Sequence, residues 1–401
     1  MNPNWQRVAL DDLTEGDRKI TYGVVKPGEE MDDGVAFVRG GDLAQGRLLI
    51  DQLRTITPQL SQVYKRTLLR GGELLISLVG NPGEVAIAPP ALKGANIARQ
   101  VGLIALKPEH DARFVMYFLM SPLGRAELFS RTGGAVQQVI NLADLKTLKV
   151  PLPPKDQQNT IASIISAYDD LIENNRRRIA LLEESARLLY REWFVRLRFP
   201  GHEHTRIVNG APEGWRNLKL GDICTDNREM VSPESLEPDT PYIGLEHMPR
   251  RSISLSEWGT AEQVTSSKLR FNTGDILFGK IRPYFHKVGI AFTDGVVSSD
   301  AFVIRPTAEA LKSFVLMTVS SDEFIANTSQ AMKEGSKMPR ADWKQMIQYP
   351  ILLPPDGLLA DFTETITSIT DQLRNLSTQN QKLRTARDLL LPKLMSGEIE
   401  V

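Results

Sequence analysis

Residues 157–194 read QQNTIASIISAYDDLIENNRRRIALLEESARLLYREWF. Alternating steps of four and three residues through this stretch meet Ile161, Ile165, Tyr168, Ile172, Asn175, Ile179, Leu182, Ala186, Leu189 and Trp193. That is the seam of a heptad helix. An apolar stripe so narrow, with a period of about 3.5 residues, buries itself only against a second long helix lying nearly parallel or antiparallel to it.

The sequence supplies that partner. Phe362, Ile366, Ile369, Leu373, Leu376, Asn380, Leu383, Arg387, Leu390 and Leu394 repeat the alternation, each 201 residues after its counterpart. The chain is therefore a tandem duplication whose halves each end in a long helix. Antiparallel pairing over the full length sets Ile161 opposite Leu394, and fourteen residues along from each it sets Asn175 opposite Asn380. One polar layer in an apolar seam fixes register and orientation at some cost in stability. The expected fold class is α+β: two mixed α/β domains in tandem repeat, joined by two long helices forming an antiparallel coiled coil with pseudo-twofold symmetry.

A chain of 401 residues exceeds one ordinary core and fits two domains of about 150 residues plus connecting helices. Composition is that of a globular protein, with no apolar run long enough for a bilayer. The opening MNPNWQRVALDD lacks the basic-then-apolar order of a secretory signal. The single cysteine, Cys224, leaves no internal disulfide and no four-thiolate zinc site. A cytoplasmic chain is expected. Its net charge of −1 gives no global electrostatic reason to bind nucleic acid, so such a reading rests on local patches.

In order, residues 1–154 form a first domain of short strands at 34–38, 73–79, 84–88 and 101–106. A helix over 112–131 is broken near Ser121 and Pro122. A Gly-rich loop, GGAVQQVIN (133–141), leads to a short helix and the strand KVPLP, after which Asp156 is placed to cap the helix of 155–198. Residues 199–214 read as a flexible linker rich in Gly, Pro and His. The same order recurs over 215–355, and 356–401 hold the second long helix and a frayed tail, with regular helix stopping near Leu391 before Pro392.

Catalytic readings find little support. GDILFGKI (274–281) spaces its glycines and Lys280 like a phosphate-binding loop, but Ile281 replaces the hydroxyl that would hold magnesium and ILF is a strand pattern. NPGE (81–84) lacks the second proline and the aromatic of an amino-methyltransferase motif, and Met248 stands where a nuclease would need lysine after PDTPYIGLEH. His202-Glu203-His204 has no further ligands. No catalytic residue, metal or cofactor is expected.

Binding is better supported, by loops at equivalent places in both halves. KIRPYFHK (280–287) gathers Lys280, Arg282, His286 and Lys287 around Tyr284 and Phe285, and KEGSKMPR (333–340) adds Lys333, Lys337 and Arg340. Basic groups hold phosphates while an aromatic or guanidinium plane meets base edges. In the first half the equivalent loop carries Gln137, Gln138 and Asn141, amides that can pair with adenine, and Arg39, Lys65 and Arg66 supply charge. Tyr190, Trp193 and Phe194 read as packing residues, either within this chain or against another protein.

Two domains each ending in a PLPP-type strand (PLPP 151–154, LLPP 352–355) and a heptad helix resemble the specificity subunit of a Type I restriction-modification system. The match extends through the IASIISAYDDLIENNRRRIALLEESARLLYREWF helix and NQKLRTARDLLLPKLMSGEI; Gly357 and Leu358 depart from it where a Gln usually follows the prolines. The resemblance implies a non-catalytic subunit whose two globular parts are target recognition domains, each reading one half of a split sequence in double-stranded DNA. It further implies that the helices space the domains and dock two modification (methyltransferase) subunits, with restriction subunits joining afterwards. A helix of about 33 residues extends roughly 50 Å, enough to reach successive major-groove faces about 34 Å apart. Because QQVIN and KMPRA differ, the half-sites should differ, and the isolated chain should bind DNA weakly.

Overall fold

The computed structural model describes residues 3–51, 53–130, 139–330 and 338–401. It divides into two compact units, Met1–Leu171 with Leu383–Val401, and Ile172–Lys382. Both long helices, Lys155–Tyr190 and Asp356–Ser396, contribute to both units.

In the first unit the strand Gln6–Ala9 pairs antiparallel with Lys149–Leu152, from Gln6 opposite Leu152 to Ala9 opposite Lys149. This fastens the start of the globular part to the strand that feeds the long helix. A four-stranded sheet runs Thr21–Tyr22, Val101–Ile104, Leu74–Ser77, Val85–Ile87, and a three-stranded sheet runs Arg54–Ile56, Val35–Val38, Asn96–Ile97. One face of the larger sheet, through Leu74, Ile76 and Val85, packs on Phe114 and Phe118 of the helix Ala112–Met120; Ile161 and Ile165 of the first long helix and Leu391, Leu394 and Met395 of the second close the same core. Each such side chain taken from water contributes about 1.5–3 kcal/mol. The expected break falls at Ser121, whose Oγ accepts from Gly124 N at 3.2 Å to start the next helix. Gly124 is obligatory there, since a Cβ would lie 2.0 Å from the Phe118 carbonyl oxygen.

The second unit repeats the plan. Arg216–Lys219 pairs with Pro350–Leu353. One five-stranded sheet runs Cys224–Asp226, Ala301–Pro306, Ile276–Gly279, Val288–Ala291, Ser254–Leu255, and another runs Met230–Val231, Lys268–Phe271, Gly295–Val297, Pro241–Ile243, Gly259–Thr260. Its core is aromatic: Phe194 meets Phe362 at 4.7 Å and Phe314 at 5.1 Å, edge to face, an arrangement that adds about 0.5–1.5 kcal/mol per pair to burial. Tyr190, Trp193 and Phe194 thus pack inside this unit.

The helices run antiparallel in each unit. In the second, Asn175 meets Asn380 and, further along, Trp193 meets Phe362; in the first, Asp169 meets Arg387. Asn175 Nδ2 donates to Asn380 Oδ1 at 3.1 Å, both side chains buried.

Four local expectations are corrected. The first long helix begins at Lys155, so Asp156 lies in the first turn near the positive end of the helix instead of capping it. There Gln158 bridges the junction, accepting from Asp111 N at 3.1 Å and donating to Pro153 O at 2.9 Å. The second helix passes Pro392 and ends at Ser396. The carbonyl that Pro392 leaves without a donor belongs to Asp388, on the exposed side beside Leu389, while burial of Leu391, Leu394 and Met395 holds the last turn. The tail closes in a Schellman turn, with left-handed Gly397, Gly397 N donating to Leu394 O and Glu398 N to Lys393 O. Finally, 199–214 is folded. Phe199 stacks on Trp215 at 5.0 Å, and Ile207–Val208 pairs with Ala211–Pro212 around an Asn209-Gly210 turn with φ of 53° and 81°.

Candidate nucleic-acid interface

In the second unit, backbone hydrogen bonds bring two candidate loops together: Arg282 N donates to Pro339 O at 2.8 Å and Ala341 N to Lys280 O at 2.9 Å. Lys280, Arg282, Tyr284 and Arg340 therefore belong to one region. The turn Pro283–Phe285 is flanked by Arg282 and His286, both left-handed, with φ of 49° and 55°. Such a backbone is held only where its surroundings over-determine it. The restraints are visible: His286 N donates to Pro283 O at 2.7 Å, and its buried ring bonds Ser320 O through Nε2 at 2.7 Å. Burial lowers the His286 pKa against the effect of that bond. His286, grouped in sequence with the phosphate-binding residues, is instead an internal brace.

Tyr284 stands at the tip, 51% exposed. Phe285 beside it lies under the Arg250 guanidinium at 4.0 Å. Lys280 Nζ is anchored on Ser299 O at 2.7 Å and over the Phe302 ring at 4.5 Å, and burial, the largest influence, lowers its pKa. Arg340 pairs with Asp300 at 3.0 Å and stays largely exposed. Lys287 binds the Leu245 carbonyl, with its pKa lowered by burial, so its charge is turned to the protein. The face is thus a mixture of cations and carboxylates, suited to base edges, which carry both donors and acceptors, as well as to phosphates.

The first unit is less gathered. Arg39 is bidentate on Asp42 (Nη2 at 2.8 Å, Nε at 3.2 Å), which raises its pKa and neutralises its charge locally. Lys65 and Arg66 are exposed on the turn Lys65–Thr67, which Thr67 Oγ1 anchors on buried Asn96 at 2.7 Å. Asn141 precedes the helix Leu142–Thr147 and reaches Asp144 at 3.4 Å. Among the described residues no hydrogen bond or ion pair joins Lys65 or Arg66 to Arg39 or Asn141. Gln137, Gln138, Lys333 and Lys337 lie outside the described residues.

The catalytic look-alikes resolve into structure. Ile276–Gly279 is an interior strand, and His202 Nδ1 bonds Phe199 O at 2.8 Å in a surface turn. Among the described residues no cluster of His, Cys, Asp or Glu could hold a metal ion. Sequence reading missed Tyr242, His247 and Lys268, which form a cleft beside the second-unit loops. Tyr242 and His247 share the stretch PDTPYIGLEH, and pairing of their strand and that of Lys268 with Gly295–Val297 brings Lys268 to them.

Over residues 2–184 the chain matches the family described as Type I restriction modification DNA specificity domain. It is 36% identical over 407 residues to the protein described as "Putative type I restriction enzyme MjaX specificity subunit" of Methanocaldococcus jannaschii, covering 99% of this chain and 94% of that protein. It is 31% identical over 176 residues to the EcoBI specificity subunit of Escherichia coli, a match covering 42% of this chain and only 36% of that relative. Among solved structures, the Type-I restriction-modification system S subunit from M. genitalium shares the fold with a TM-score of 0.59 at 18% identity, over 98% of this chain and 96% of that one.

Proposed function

Since the chain belongs to the DNA specificity subunits of Type I restriction-modification systems, we propose that its two dissimilar globular parts divide one DNA target between them. The subunit is non-catalytic; chemistry resides in partner subunits. Residues 1–154 act as the first target recognition domain and 215–355 as the second, each reading one half of a bipartite, asymmetric sequence. Residues 155–198 and 356–401 set the spacing and dock two modification subunits, with restriction subunits joining the full complex in the cytoplasm. Among the described residues no helix is long and apolar enough to cross a membrane.

The observation that carries this reading is the repeat itself. Both halves bolt an N-terminal strand to the strand preceding a long helix, Gln6–Ala9 on Lys149–Leu152 and Arg216–Lys219 on Pro350–Leu353, while the loops at equivalent positions differ. Lys280, Arg282, Tyr284, Lys337 and Arg340 would face the second half-site, with Lys287 supporting the loop from below. Gln137, Gln138, Asn141, Arg39, Lys65 and Arg66 would face the first. Mapping methylated adenines in a genome that carries this gene and its neighbours tests the reading: two unlike short motifs at fixed separation are expected, and a single continuous or palindromic motif would refute it.

A further inference from the structure

Tyr242, Glu246, His247, Thr260, Thr265 and Lys268 line an open cleft of about 550 Å³ in the second unit. Lys268 is only 8% exposed. Its ammonium donates to Ser266 O at 2.8 Å and Ser266 Oγ at 2.7 Å and lies 5.7 Å from the centre of the Tyr242 ring. Among the described residues no carboxylate lies within ion-pairing distance of it. An ammonium has three donors, and burying it without a counter-charge is costly; here two donors are spent on neutral oxygens.

His247 adds a second donor. Its Nδ1 accepts from Gly244 N at 2.9 Å, which places the proton of the neutral ring on Nε2. The ring stands edge-on to Tyr242 at 5.9 Å. A Cβ on Gly259 would lie 3.2 Å from His247 Cε1 and 3.5 Å from Nε2, so glycine keeps that edge uncrowded.

The cleft continues the interface already described. Lys287 Nζ binds Leu245 O, tying the 280–287 loop to the turn that carries Glu246 and His247. Tyr242 lies in the field of Asp300, the carboxylate that pairs with Arg340.

We propose that this cleft seats a backbone phosphate of the DNA duplex, with Lys268 as its counter-charge and the His247 Nε2–H as a second donor. The inference rests on the DNA-specificity reading and names a positioning contact within it: a phosphate carries no base identity, so the seat fixes how the second domain lies on the duplex. Exposed Glu246 lines the same cleft and opposes the anion.

The test uses the complex with its methyltransferase subunits, binding a cognate duplex and one altered in the second half-site across a range of salt concentrations. Lys268→Gln should weaken both duplexes by the same factor and reduce the slope of log affinity against log salt by about 1. Lys268→Arg should keep the slope, and Glu246→Gln should tighten binding to both duplexes. These two variants carry the test if Lys268→Gln does not fold. An unchanged slope in folded Lys268→Gln, or a loss confined to one base position, would overturn the seat. Protection of Lys268 from acylation by inorganic phosphate but not by DNA would assign the cleft to a free anion and equally overturn it. Loss of sequence preference in the unaltered complex would instead count against the specificity reading, and the salt slope would still report on the seat.

Discussion

Asn175 and Asn380 meet side chain to side chain in the seam of the two long helices, Nδ2 to Oδ1 at 3.1 Å, with Gln379 Oε1 a further 3.4 Å acceptor for the same Nδ2. The layer interrupts a stripe that includes Ile369, Leu373 and Leu376 on the second helix. Replacing one Asn by Leu strands the other amide, a loss of about 1–3 kcal/mol. Replacing both removes two polar groups at once. Asn175→Leu and Asn380→Leu should each lower Tm, and the double variant should lose less than the sum, with a coupling of about 0.5–3 kcal/mol by a double-mutant cycle. Simple additivity would show that the pair does not act as one layer.

Glu73 and Arg18 form a buried pair at 2.8 Å, with side-chain exposures of 3% and 7%. Burial raises the Glu73 pKa, but the Arg18 hydrogen bond and the Arg70 backbone N–H outweigh it, leaving the group below its ordinary value. A depressed carboxylate contributes stability that is fully present above its unfolded-state pKa and is lost as pH falls through its folded one. Glu73→Gln should therefore flatten the acid limb of the stability profile below about pH 4.5, the ordinary value. Arg18→Met, which leaves the carboxylate unpaired, should cost about 3–5 kcal/mol at neutral pH. Chemical denaturation from pH 3 to 8 reads both; equal acid limbs in wild type and Glu73→Gln would contradict the assignment.

Glu183 of the first long helix is buried and accepts from Ser252 Oγ at 2.6 Å, Ser254 Oγ at 2.7 Å and Ser254 N at 3.1 Å. Gln381 of the second helix donates to Ser256 O at 2.7 Å. Both helices thus grip one segment of the second globular part. Glu183→Ala leaves a backbone N–H and two hydroxyls without this acceptor and should cost about 2–4 kcal/mol. Hydrogen exchange at 252–256 should quicken, with exchange in the first unit unchanged. Uniform quickening across both units would instead indicate a general loss of fold.

How much of this was legible in the sequence depends on the range of the physics involved. The seam, the repeat and the long helix after each PLPP-type strand follow from local pattern, and the Asn pair follows from counting along the seam. The passage of helix through Pro392 did not, because the burial of Leu394 and Met395 that sustains it comes from residues distant in the chain. The folded segment after Phe199 was masked by its Gly and Pro content, although Asn209-Gly210 was a hairpin signal in plain view. At the interface, the basic loops were readable as composition, but their pairing was not. His286 and Lys287 look like phosphate ligands in sequence, and only the positions of Ser320 and Leu245 reveal them as internal supports.

Arg340 contributes an exposed guanidinium to the second-unit face, while Gln138 belongs by sequence to the first-half loop. Arg340→Ala should relax base preference in one half-site by about 1–3 kcal/mol per contacted base and leave the other intact. Gln138→Ala should do the reverse. Methylation of a randomised target library by the reconstituted complex reads both preferences in one experiment; relaxation of both half-sites by either variant would show that the loops do not read independently.

The most direct measurement is a domain exchange followed by mapping of methylated adenines. Residues 1–154 are replaced by the corresponding part of a relative, and the methylated motif is compared with that of the unaltered complex. One half of the bipartite motif should change to that of the donor, while the other half and the separation between them stay as they were. A motif altered in both halves, or in neither, would contradict the assignment of one reader to each half of the chain.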